Sequence, residues 1–254
     1  MRYFVLLITE LKMMLWGMKR YFFNTISMLA IMFFVFTGLF YGVKALAGAS
    51  VNAQSLDAMI IGYVLWMSAM LVLQDIGNMI LQESQMGTLE QLYLSPIKPK
   101  FIFIGKILSN LLFYFATTTV ILFSEMLVTG RYLKINFAVF FLWLFVSLIS
   151  LLGIGFAIGG LALIHKRIQA INSVLSFGLI GLMMLPVYPL NGFSFLPFIA
   201  GASTINAIIV KGATFPIEWY AFIVLNSLAY LAAGMFLFGI IEKKARSMNK
   251  LSQY

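Results

Sequence analysis

Six apolar stretches dominate this sequence: residues 24–46, 56–81, 103–128, 136–164, 168–187 and 217–241. About 20 apolar residues in helical form cross the hydrocarbon of a bilayer. A helix also satisfies every backbone group within one segment, which lipid demands. The stretches therefore predict an all-α integral membrane protein with six transmembrane helices. Charged residues make up 10% of the 254 and hydrophobic residues 62%, whereas a soluble domain carries about 25% charged residues. No repeat, low-complexity tract or soluble stretch interrupts the pattern, so residues 1–254 read as a single transmembrane domain.

The 17 Lys and Arg residues give a net charge of +9. They cluster at the ends of the apolar stretches, which points to membrane orientation and anionic lipid rather than nucleic acid. With the N-terminus inside, thirteen lie on the cytoplasmic side: Arg2, Lys12, Lys19, Arg20, Lys98, Lys100, Lys106, Lys166, Arg167, Lys243, Lys244, Arg246 and Lys250. The remaining four, Lys44, Arg131, Lys134 and Lys211, lie outside. The positive-inside rule then predicts a multi-pass plasma-membrane protein with both termini cytoplasmic.

Residues 1–23 do not read as a cleavable signal peptide, because Glu10 and Lys12 interrupt the apolar run and no small-residue cleavage site follows. Phe4, Leu7, Leu11, Met14 and Met18 recur at helical spacing, with Arg2, Glu10, Lys12, Lys19 and Arg20 elsewhere on the wheel. This predicts a helix lying in the inner interface. Four of the six prolines, Pro186, Pro189, Pro197 and Pro216, surround residues 188–216. The apolar part of that outer segment, 193–209, is too short and broken to cross. It fits either a re-entrant dip or an ordinary outer loop. The Gly155–Gly159 spacing in the fourth stretch suits close helix packing.

The loop 82–100 carries the most specific information. Thr88 and Gln91 have capping-box spacing, so a helix is expected to start at Leu89. Pro96 disfavours helix at Ser95 and limits the element to about two turns. Leu89, Leu92 and Tyr93 then share a face. Such a helix could dock on another protein or lie on lipid headgroups.

The run Glu83, Gly87, Thr88, Leu89, Glu90, Gln91, Leu92 and Pro96 resembles the signature of permeases of the type-2 ABC exporter family. The resemblance extends over the whole chain, from the N-terminal helix to the apolar outer segment before the last span. It implies that two six-span subunits pair, each contacting a cytosolic ABC ATPase through a coupling helix in the loop after span two. It also implies ATP and Mg on that partner. This sequence has no Gly-x-x-x-x-Gly-Lys-Ser/Thr phosphate loop, so hydrolysis is expected on the other chain and no cofactor on this one.

Ionisable groups inside a membrane are costly and need a reason. Asp75, beside Gln74 and Asn78, reads either as a packing or vestibule group or as a gate. Glu125, about a turn from the outer end of its span, is expected to reach water, and Lys106 to snorkel inward. Met67, Met70, Met183 and Met184 read as core filling. Mid-span positions otherwise hold no carboxylate or histidine relay of the kind proton-driven transporters use. An embedded enzyme would need a clustered nucleophile and base or a metal site. The single histidine, His165, stands beside Lys166 and Arg167 as part of a topology signal, and no cysteine is present. A membrane scaffold or assembly factor without transport activity is the alternative reading. The apolar path suits a hydrophobic or amphipathic cargo.

Overall fold

The computed structural model describes residues 2–48, 52–95, 97, 99–165 and 168–248. These form helices and no strand: α1 (Arg2–Arg20), α2 (Phe22–Ala47), α3 (Ala53–Gln85), α4 (Leu89–Leu94), α5 (Pro99–Thr129), α6 (Phe137–Ile164), α7 (Gln169–Met183), α8 (Ile199–Lys211) and α9 (Ile217–Ser247). A 3-10 turn at Gly192–Phe195 precedes α8. Local chemistry sets several boundaries. Asn136 caps α6 by accepting from the Val139 N–H at 3.3 Å. Gly212 closes α8 in the left-handed region that glycine enters without steric cost.

Among the described residues, five helices are long and apolar enough to cross a membrane: α2, α3, α5, α6 and α9. The expected span at 168–187 is shorter than its hydropathy suggested. Only Gln169–Met183 is helical, about 22 Å at 1.5 Å per residue, against about 30 Å of hydrocarbon. Pro186 supplies the physical reason, since it drives the preceding residue out of the helical region.

Contacts fix the helix directions. Gly155 of α6 faces Leu73 and Ile76 of α3, and Gly159 faces Ile76 and Ile80. Gly153 meets Tyr230 and Leu231 of α9, and Gly160 meets Ile241. Numbers rise together in both pairs, so α3, α6 and α9 run parallel. α5 runs opposite to α3, as the pairs Arg131–Asp57, Thr118–Ser68 and Lys106–Glu83 record. α7 also opposes α3: Asn172 lies by Gly77, while Ser176 accepts from Gln74 at 3.0 Å and from Trp66 Nε1 at 2.7 Å. One end of the bundle therefore gathers the C-termini of α3, α6 and α9, the start of α5 and α7, and α4.

The core sits along α3, α6 and α9. Phe238 of α9 packs edge-on against Phe156 of α6 at 5.7 Å and Phe103 of α5 at 6.4 Å. The Gly155–Gly159 pair packs internally, against α3, and Met67 is buried in the core. Met184 is instead 82% exposed, because it lies past the end of α7.

Candidate functional site

Glu83 lies in the last turn of α3. Its carboxylate forms an ion pair with Lys106 of α5 and accepts a hydrogen bond from Thr88 Oγ1 at 2.5 Å. The Thr88 N–H also donates to the Glu83 carbonyl at 3.0 Å. Lys106 thus does not merely snorkel; it is held in a pair. Helix α4 starts at Leu89 as the sequence suggests, but not by the expected cap. Thr88 makes no side-chain cap bond and turns back to Glu83. The hydroxyl gives its proton to a charged acceptor, a short and strong hydrogen bond, and the rotamer that reaches Glu83 is not the one that caps α4. Gly87, between α3 and α4, takes a φ of +69°, which favours glycine. Ser95 is extended, with φ −63° and ψ 148°, as a residue before proline should be. Pro96 itself lies outside the described residues, as do the side chains of Leu89, Glu90 and Tyr93. Leu92 is half-buried and Gly87 exposed.

Glu10 departs from expectation. The helical wheel set it off the packed face of α1, yet it is only 8% exposed. The packed face of α1 keeps Leu7, Leu11, Met14 and Met18 of the expected stripe and shifts to include Leu6, Glu10 and Gly17, leaving Phe4 69% exposed. Gly105 of α5 explains the shift. A Cβ there would sit 3.4 Å from Leu6 Cδ2 and 3.7 Å from Glu10 Cγ, so the glycine lets α1 settle with Glu10 inward. Burial pushes the Glu10 carboxyl above the ordinary carboxylate range, with Lys106 pulling it down and Glu83 adding to the rise.

Deeper in the bundle, Asp75 accepts from Asn110 Nδ2 at 3.1 and 3.2 Å and also bonds the Tyr114 hydroxyl. It lines a cavity of about 230 Å³ with Met28, Met70, Gln74, Asn78 and Phe113. Asn110 and Tyr114 were invisible to sequence reasoning, because nothing in a sequence pairs positions on antiparallel helices.

Glu125 does not reach water. It is fully buried, and both carboxylate oxygens lack a partner among the described residues. Distance to the helix end is a poor guide here; the face decides. Thr118, Ile121, Leu122, Glu125 and Met126 form one buried stripe of α5, a three- and four-residue spacing that was legible in the sequence. Glu83 and Glu125 stand at opposite ends of the bundle, and the structure does not bring them together. Among the described residues, no three His, Asp or Glu side chains cluster as a metal site would require.

A comparison with curated proteins finds no match. The family model for ABC-2 family transporter proteins matches residues 41–241, from within α2 to within α9, so the chain belongs to that family and is the permease subunit of an ABC transporter.

Proposed function

We propose that this permease forms the export path of an ABC transporter and couples to a separate cytosolic ATPase through α4, with ATP and Mg on that partner. One observation carries the reading: the Glu83–Lys106 pair and the Thr88 bond tie the start of α4 to the ends of both α3 and α5. A load on α4 would pass directly into two long helices. Glu83, Gly87, Thr88 and Pro96 shape that loop, and Leu89, Leu92 and Tyr93, rimmed by Glu90, form the contact.

The parallel run of α6 and α9 supports a sixth crossing. The chain must return between them, and α7 with the 3-10 turn and α8 is the route. Gly201, near the start of α8, abuts Ser147, about 15 Å along α6 from its outer end. Asn206 bonds the Ala58 carbonyl near the start of α3 at 3.2 Å. These contacts support a re-entrant α8 completing the crossing that α7 begins. With six crossings both termini would lie on the α4 side, and the basic residues favour the cytoplasm for that side. Helix α1 then lies in the inner interface, against membrane lipid. A second permease copy is the natural cover for α2.

Leu92→Ala and Tyr93→Ala test the coupling. Removing a buried interface anchor costs about 2 kcal/mol or more. ATPase co-purification and transport should fall at unchanged membrane abundance. Full attachment and transport in both variants at normal abundance would mean that this loop is not the coupling element.

A further inference from the structure

At the α4 end, α1, α3 and α5 enclose a cavity of about 280 Å³. Its polar wall comprises Glu10, Gln82, Glu83, Lys106, Ser109 and Asn110, and three methionines, Met13, Met14 and Met79, form the rest. The charges do not balance: two carboxylates face one ammonium. Lys106 is committed to Glu83, and Glu83 also holds Thr88. Glu10 is more than nine-tenths buried, lines this cavity and has no hydrogen-bond or ion-pair partner among the described residues. Its carboxylate oxygens keep contact with water only through the cavity, so an unpaired carboxylate faces whatever enters there.

We propose that this cavity binds a primary ammonium group, with the Glu10 carboxylate as its counter-ion. The donor set fits. An ammonium offers three N–H donors and no acceptor, and the Glu10 carboxylate accepts. Asn110 spends its Nδ2 on Asp75, which leaves its carbonyl oxygen as a second acceptor. Ser109 donates to the Gly105 carbonyl at 3.0 Å, so its oxygen retains a lone pair. The methionines suit the methylenes beside the nitrogen, since thioether side chains adapt to irregular apolar groups. An anion would meet two carboxylates and one already paired lysine.

The cavity lies level with the end of the candidate span Ala53–Glu83 and near the start of Phe101–Thr129. It sits beneath α1, whose Phe4, Ile8 and Leu15 are exposed. The ammonium can therefore arrive on an aminophospholipid headgroup or on a water-soluble amine. The site shares Glu83 and Lys106 with the bonds that hold α4, but its counter-ion, Glu10, takes no part in them.

The test is thermal unfolding of the full chain in neutral detergent, titrated separately with lysophosphatidylethanolamine, lysophosphatidylglycerol and free ethanolamine. The ethanolamine lipid should stabilise the wild type and the glycerol lipid should not. Glu10→Gln, which keeps the shape and removes the charge, should weaken the response about tenfold, as expected for a lost charged hydrogen bond. Glu10→Asp should retain a weakened but ethanolamine-selective response. Stabilisation by free ethanolamine as well identifies a soluble amine as sufficient; stabilisation by the lipid alone identifies the headgroup source. Equal shifts with both lipids, or an unchanged response in Glu10→Gln, would overturn the proposal. ATPase attachment is unaffected by either result, so a failure here leaves the coupling role of α4 standing.

Discussion

The α6–α9 seam and helix α2 are equally apolar in sequence and opposite in packing. At the seam, backbone meets backbone: a Cβ on Gly153 would overlap the Tyr230 carbonyl, and one on Gly234 would overlap Gly153. In α2, the glycines Gly38 and Gly42 have nothing within 4 Å of such a Cβ. Only 11% of the apolar window of α2 is buried, against 50% in α3. Lipid tails are as apolar as leucine, so hydrophobicity alone does not drive helices together in a membrane. Close approach does, and small residues at matched positions supply it. Glycine in α2 is therefore ordinary membrane-helix composition, whereas glycine in the seam is a contact.

The sharpest way to break this contrast is Gly234→Leu. Forcing a branched side chain into a backbone contact should cost about 3 kcal/mol or more, read as collapse of membrane abundance and of the folded fraction in detergent. Gly38→Leu should leave abundance at the wild-type level. If it instead lowers transport at normal abundance, the open face of α2 is covered by a partner in the membrane.

Next in size is Lys106→Met. The pair with Glu83 is not fully buried, at 19% and 18% side-chain exposure, so the loss should lie below the 3–5 kcal/mol of a buried pair. We expect about 1–2 kcal/mol in thermal unfolding. Adding Glu83→Gln should recover part of it, because the stranded carboxylate is then neutral.

Glu10→Gln should act in the opposite direction. The folded protein holds the Glu10 proton more tightly than the unfolded chain does. The cost of ionising it is therefore present above the folded pKa and vanishes as pH falls toward the unfolded value of 4.5. The variant should unfold at a higher temperature than wild type at neutral pH, and the two curves should converge in acid. A constant gap would mean that packing, not charge, explains the difference. The smallest effect belongs to Phe34→Ala. Phe34 is 68% exposed on α2, so stability should change by no more than about 0.5 kcal/mol.

Much of the bundle was legible because lipid restricts the choices. Long apolar runs became helices, and α4 began and ended where Thr88, Ser95 and Pro96 suggested. Charge placement was harder. Glu125 was misjudged by its distance from the helix end, although the stripe from Thr118 to Met126 gave its true face. The inward turn of Glu10 depended on Gly105, 95 positions away in the chain, and the Thr88–Glu83 bond on a loop geometry that spacing alone does not encode. Hydropathy likewise counted 168–187 as one span because it averages over Pro186, a residue that is unremarkable in polarity and decisive in conformation.

The parallel course of α3, α6 and α9 has an electrical consequence. Each helix ends in roughly half a negative elementary charge from its unsatisfied carbonyls. Here three like poles gather at one end, and the N-termini of α5 and α7 at that end offset them only in part. That arrangement disfavours association, so the seam must hold by shape against its own dipoles. Lys243 and Lys244, within the last turns of α9, then stand as counter-charges to those poles. Neutralising them would loosen the very helices that the glycines bring together.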